Sequence, residues 1–211
     1  MKNLTFLIIA AFLSASVLGQ EIYLESGVNV TNFEFLDSSG ELYETFYPKT
    51  NNTFSLGYRH FYKDDFSFTG GLSFVEFGAL GRNSTNNINL DYSLSYVQLS
   101  VGGEYELRSH KDFINIYAKA NFSVSRMVSG TQMLNNEVYS LIGHEDFGPF
   151  LLSGYAGLKV SVPINDRVDI YTLAMVGIND PAGVIRTEDI ERLRIKGANV
   201  AFGILVDLIT K

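Results

Sequence analysis

The chain contains no cysteine and no tryptophan, only four prolines and three histidines. Without cysteine there is no disulfide framework and no lipoprotein anchor. Cations are scarce as well, 16 Lys and Arg against 23 Asp and Glu, with no basic cluster. Such a chain offers phosphate backbones little to bind, so nucleic acid is excluded as a partner. Apart from one run near the N-terminus there is no long apolar stretch, which excludes a helical membrane protein. Repeats, low-complexity tracts and linkers are missing too.

What is present begins with MKNLTFLIIAAFLSASVLGQ: one cation at Lys2, an apolar run from Leu4 to Leu13, then small residues up to Gly19. A run this short with these flanks reads as a secretory signal rather than a spanning helix. Cleavage after Gly19 divides the chain into a signal at 1–19 and one domain at 20–211. Removing Lys2 from the 16 cations leaves 15 against 23 anions, a formal charge of −8 on the mature chain. The 12 Tyr, 16 Phe and 19 Gly favour strands and close packing.

The clearest pattern is in VQLSVGGEYELRSHKDFINIYAKANFSV, Val97 to Val124. Val97, Leu99, Val101, Gly103, Tyr105 and Leu107 share one parity, and Gln98, Ser100, Gly102, Glu104 and Glu106 the other. After a polar turn, Ile114, Ile116, Ala118, Ala120, Phe122 and Val124 again oppose polar neighbours. Successive side chains of a strand point to opposite sides, so this is an antiparallel hairpin with one apolar face. The same alternation marks Ile22 to Thr31, Phe54 to Arg59, Phe66 to Phe74, Phe150 to Val162 and Ala198 to Leu208. Val168 to Ile178 is apolar on both faces, which leaves its parity open. Around Tyr96 the apolar parity changes, because Leu90, Tyr92, Leu94 and Tyr96 stand opposite to Val97 onward. A bulge or a hairpin extension above the membrane accounts for this, and the extension is the preferred reading.

About eight strands result, each long enough for a tilted crossing of a bilayer. Connections at Lys63 to Asp65, Arg108 to Asp112 and Ile164 to Asp166 are short. Those at 32–52, 78–89, 126–149 and 179–196 are long, so short turns fall on one side and long loops on the other. The expected fold is all-β, a closed antiparallel up-and-down transmembrane barrel with periplasmic short turns and termini.

Alternation alone does not say which face is inside. A soluble barrel carries Lys and Glu outside, whereas the polar faces here are mostly Ser, Thr, Asn, Gly and Tyr. Their few charges are Glu25, Arg59, Glu104, Lys119, Lys159 and Asp207, three acids and three bases. Ions withdrawn from water must be paired, so these six are expected to form a structural ion-pair cluster in the lumen. Counted from the short turns, all but Lys119 fall at a similar height.

A signal peptide, about eight strands and one-sided long loops resemble the small bacterial outer-membrane β-barrel domain proteins, of OmpA/OmpX and OmpW type. Gly102-Gly103-Glu104-Tyr105 and Gly154-Tyr155-Ala156-Gly157-Leu158-Lys159 carry the resemblance within the strands. The chain departs from many such barrels in ending Asp207-Leu208-Ile209-Thr210-Lys211 instead of on an aromatic residue. The resemblance implies a monomer in the bacterial outer membrane, in contact with its lipid.

Chemistry-bearing motifs are few. No phosphate-cradling loop, nucleophile elbow or Cys/His metal spacing occurs, so no cofactor, metal or catalytic residue is expected. His60 reads as an interfacial residue between Tyr58 and Tyr62, and His110 as a solvated turn residue. His144-Glu145-Asp146 reads as a charged loop, since one imidazole and two carboxylates make a weak metal site. The first long loop is aromatic, and Phe35, Tyr43, Phe46 and Tyr47 form a candidate contact surface for an extracellular protein or surface ligand. The expected role is structural or surface-interacting, with a lumen closed by side chains. The alternatives are a narrow porin-like conduit for a small apolar solute, a soluble lipocalin-like carrier and an outer-membrane lipid-modifying enzyme.

Overall fold

A computed structural model describes residues 20–36, 42–63, 65–83, 88–110, 113–143, 147–182 and 192–208. These form the strands β1 (Gln20–Leu36), β2 (Leu42–Thr45), β3 (Tyr47–Lys63), β4 (Phe66–Asn83), β5 (Ile88–His110), β6 (Ile114–Leu134), β7 (Glu137–Ser140), β8 (Phe150–Asn165), β9 (Val168–Ala182) and β10 (Arg192–Asp207). No helix occurs among the described residues. The long strands pair with their neighbours in chain order, and β10 returns to β1 over the register Glu21↔Asp207 to Leu36↔Arg192. The sheet is therefore a closed eight-stranded up-and-down barrel. Closure leaves no unpaired edge along the wall, which is what a sheet needs in a medium without water.

β2 lies on the end of β1 and continues, through a break at Phe46, into β3. β7 folds back on β6 through Asn135 and Asn136, both at positive φ (51° and 71°). Two consecutive left-handed residues make the two-residue turn whose twist matches a hairpin, and Asn tolerates that conformation. Chain ends and short turns lie at one end of the barrel and the long connections at the other.

The long strands run from 15 residues in β9 to 23 in β5, more than the roughly 10 that a tilted crossing requires. The surplus projects beyond the apolar belt at the long-loop end, and there the polarity of the wall reverses. Within the belt Leu24, Phe54, Phe74, Leu99, Phe122 and Phe202 point outward, with Phe122 and Phe202 at 70% and 72% exposure. Beyond it the outward positions of β1, β3, β5 and β10 are largely polar, among them Asn32, Thr50, Ser93 and Lys196, and a cluster of large apolar side chains turns inward, while Leu80, Val128 and Val138 stay exposed.

This reversal explains the change of parity at Tyr96. β5 keeps unbroken register with β4 from Phe66↔Tyr105 to Asn83↔Ile88. Tyr92, Leu94, Tyr96 and Gln98 all point inward and are buried. Side-chain direction is constant, and what changes is which face is apolar. A bulge exists, but in the partner strand: Ser95 pairs Ser129 while Tyr96 pairs Met127, so Val128 is the extra residue of β6. The segments 32–52, 78–89 and 126–149, read from sequence as loops, accordingly contain strand in β1, β2, β3, β4, β5, β6 and β7. In β9 the inward set is Tyr171, Leu173, Met175 and Asn179.

Glycines let tyrosine rings lie flat against the inner wall. A Cβ on Gly203 would stand 2.2 Å from Tyr171 Cζ, and one on Gly57 2.2 Å from Tyr23 Cζ. Each ring therefore occupies the space that a side chain on the neighbouring strand would take.

Candidate functional site in the lumen

At the short-turn end the interior is ionic. β3 supplies Arg59, β5 Glu104, β6 Lys119, β8 Lys159 and β1 both Glu21 and Glu25, each at an inward position of its strand. Glu104 is the hub: its carboxylate meets Arg59 Nε at 3.1 Å, Lys119 Nζ at 3.1 Å and Lys159 Nζ in direct contact. Arg59 Nη1 also reaches Glu21 at 3.0 Å, and Lys119 Nζ reaches Glu25 at 3.3 Å. Tyr171 donates to Glu25 Oε1 at 2.8 Å, and Arg59 Nε donates to Ser67 Oγ at 2.9 Å.

Aromatic rings complete the cage. The Arg59 guanidinium lies 4.7 Å from the Tyr117 ring, Lys159 Nζ 4.5 Å from the same ring, and Lys119 Nζ 5.2 Å from that of Tyr23. A cation over a ring face is attracted by its quadrupole, more strongly once water is excluded. Three cations thus face three carboxylates, and Arg59, Glu104, Lys119 and Lys159 are each buried.

Of the six charges picked out in the sequence, the structure brings together Glu25, Arg59, Glu104, Lys119 and Lys159. Lys119 belongs to the group despite its count from the turn, because it stands directly across from Glu104 in the β5–β6 register. Tilted, staggered strands make residue count a poor measure of height. Asp207 stands at the end of β10 opposite Glu21, and it is Glu21 that reaches Arg59. Glu21 shares the parity of Glu25, the one signal that marks it in the sequence.

The opposite half of the lumen is apolar. Phe33, Phe46, Phe77, Tyr92, Leu94 and Tyr96 form a buried cluster together with Leu141, Phe147, Leu151, Leu193 and Ile195. Tyr92 is central, with ring centroids 5.4 Å from Phe46 edge-on, 5.8 Å from Phe33 and 5.8 Å from Phe147. Leu141 and Phe147 come from the connection after β7, which is tied to the barrel by Leu141 N–H to Gly130 C=O (2.9 Å) and Met127 N–H to Pro149 C=O (2.9 Å).

This placement corrects the reading of Phe46 as a contact residue: it is 3% exposed and belongs to the apolar fill. Tyr47, the next residue, is 62% exposed. The side chains of Phe35 and Tyr43 lie outside the described residues, as do residues 144–146 and the side chain of His110. His60 stands half-buried on the outer wall, stacked on Tyr58 at 6.5 Å.

Between the ionic and apolar layers lies a cavity of about 70 Å³, lined by Asn29, Ser55, Gln98, Ser123, Tyr155 and Asn199 among others. Asn29 Oδ1 and Asn121 Oδ1 border it and have no hydrogen-bond partner in the protein. A polar space of this size suits a few bound waters.

A closed wall with an apolar outer belt, an ionic layer inside that belt and one-sided long connections defines a class, the transmembrane up-and-down β-barrel. No protein-family model matches the chain, and no curated protein matches it. Among solved structures the chain is similar to Neisserial surface protein A, at 15% identity over 89% of this chain and 97% of that one, TM-score 0.49. It is similar also to Ail, the attachment invasion locus protein of Yersinia pestis, at 12% identity over 89% and 99%, TM-score 0.42. A third is the outer membrane protease OmpT of Escherichia coli, at 7% identity over 90% and 97%, TM-score 0.47.

Proposed function

We propose that the chain is an outer-membrane barrel with a structural or cell-surface interaction role, monomeric, and closed to diffusion. The observation that carries this reading is the stacking of two unlike layers across the lumen, the cage around Glu104 and the cluster around Tyr92. A solute would have to separate buried ions at one level and displace packed aromatic rings at the other. The same geometry argues against catalysis, because the two carboxylates nearest to an acid–base pair, Glu25 and Glu104, are both held by Lys119. Residues 1–19 would direct export and be removed after Gly19, placing the termini and short turns in the periplasm. The long connections then face outward, where Tyr47 and the hairpin of β6 and β7 are available to a surface ligand.

Two measurements test this. Purified protein in planar bilayers should give flat traces, and steady conductance in the wild type would overturn the closed lumen. Exchanging the residues between β9 and β10, or Tyr47 together with the exposed residues of β7, should abolish surface binding with the barrel still folded. Loss of function only on changing the lumen would overturn the interaction role.

A further inference from the structure

The ladder between β3 and β4 is interrupted at one level. Pro48 pairs Ala79 and Thr53 pairs Val75, so residues 49–52 stand opposite residues 76–78 without regular pairing. Side chains bridge the gap: Thr31 Oγ1 donates to Gly78 C=O at 2.7 Å and accepts from Gly78 N–H at 2.9 Å, and Asn29 Nδ2 donates to Glu76 C=O at 3.3 Å. On the outer face the irregularity leaves a crevice of about 220 Å³, lined by Lys49, Thr50, Asn52, Glu76, Ser93 and Ser95 among others. Beside it Lys49 packs over the buried Gly78, where a Cβ would stand 2.8 Å from Lys49 Cδ and 2.6 Å from Tyr92 O.

The crevice sits where the wall changes from apolar to polar. Phe54, Phe74 and Val97 are paired across β3, β4 and β5, and all three are exposed on the outer face. One step further from the short turns, the same strands present Asn52, Glu76 and Ser95. Any occupant of that boundary meets an apolar row below and a polar hollow above, which selects an amphipathic molecule.

The polar groups narrow its headgroup. Lys49 is neutralised, held by Asp91 and Ser93 Oγ (2.6 Å). It offers little to a phosphate. Glu76 Oε2 accepts the Asn52 N–H at 3.3 Å and the carboxylate retains acceptor capacity. With Thr50, Ser93, Ser95 and the Asn52 amide beside it, the lining is rich in acceptors and short of free positive charge. We infer that this crevice binds the hydroxyl-rich sugar headgroup of a membrane lipid, its acyl chains lying on Phe54, Phe74 and Val97.

The inference rests on the membrane-spanning barrel, and one experiment separates the two. Full-length protein is inserted into lipid nanodiscs holding equal amounts of a glucosyl diacylglycerol and phosphatidylglycerol of the same chains, released in mild detergent, and its retained lipid read by native mass spectrometry. Wild type should retain the glucosyl lipid about tenfold over the phospholipid, the worth of one charge-assisted hydrogen bond. Glu76→Gln and Ser93→Ala should each lower that ratio, and Thr172→Ala on the opposite wall should leave it unchanged. The folded state of each variant is checked by its heat-dependent mobility shift. Equal retention of both lipids, preference for phosphatidylglycerol, or a preference that survives Glu76→Gln would overturn the site. Failure of the wild type to insert would overturn the barrel reading itself.

Discussion

At the scale of single residues, Glu104 has the most at stake. Its carboxylate faces Arg59, Lys119 and Lys159 inside a wall that excludes water, so replacing it leaves three cations with nothing between them. Removing one partner of a buried ion pair costs about 3–5 kcal/mol. We expect Glu104→Gln to lower unfolding stability by that order in detergent micelles titrated with urea, and a change below about 1 kcal/mol would refute its role as hub. Because the penalty comes from uncompensated charge, adding Lys159→Met should recover part of it. Phe46 and Tyr47 make a second pair of expectations. Phe46→Ala should cost about 3–5 kcal/mol through the cavity it opens beside Tyr92, whereas Tyr47→Ala, on an exposed ring, should stay within about 0.5 kcal/mol. Equal effects of the two would contradict the inward placement of Phe46.

At the scale of elements, neighbouring strands are fitted to one another by tyrosine rings over glycines. Gly203 in β10 has Tyr171 of β9 where its side chain would be. Gly203→Ala should therefore destabilise by about 1–3 kcal/mol, the usual cost of overpacking. In a Tyr171→Leu background the same substitution should cost clearly less, and a double-mutant cycle with no coupling would show that the ring is not the obstacle. The β6–β7 hairpin obeys a different local rule. Its turn requires positive φ at Asn135 and Asn136, so it depends on residue type rather than on packing.

At the scale of the whole molecule, the barrel is built in two sections of opposite polarity. Near the short turns it is apolar outside and ionic inside, and near the long connections it is mostly polar outside and apolar inside. A membrane solvates the first outer surface and water the second, so the boundary between sections marks the level at which the barrel leaves the hydrocarbon. Membranes from expressing cells should hold the protein through high salt and alkaline carbonate, and its release into the aqueous fraction would remove the spanning assignment.

The sequence by itself determined the strands of the membrane section, the side of the short turns and the inward direction of Glu25, Arg59, Glu104, Lys119 and Lys159. Period-two alternation carries that information locally wherever one face meets lipid and the other a crowded lumen. It failed beyond Tyr96 because an alternating strand does not say which of its faces is the outer one. There the apolar face turned inward, strands resembled loops, and Phe46 resembled a surface aromatic. Only the tertiary structure decided that Glu21 joins the cage while Asp207 stands at the strand end, and that Lys119 lies level with Glu104. Position along a barrel depends on strand tilt and stagger, which are properties of the closed sheet and of no single strand.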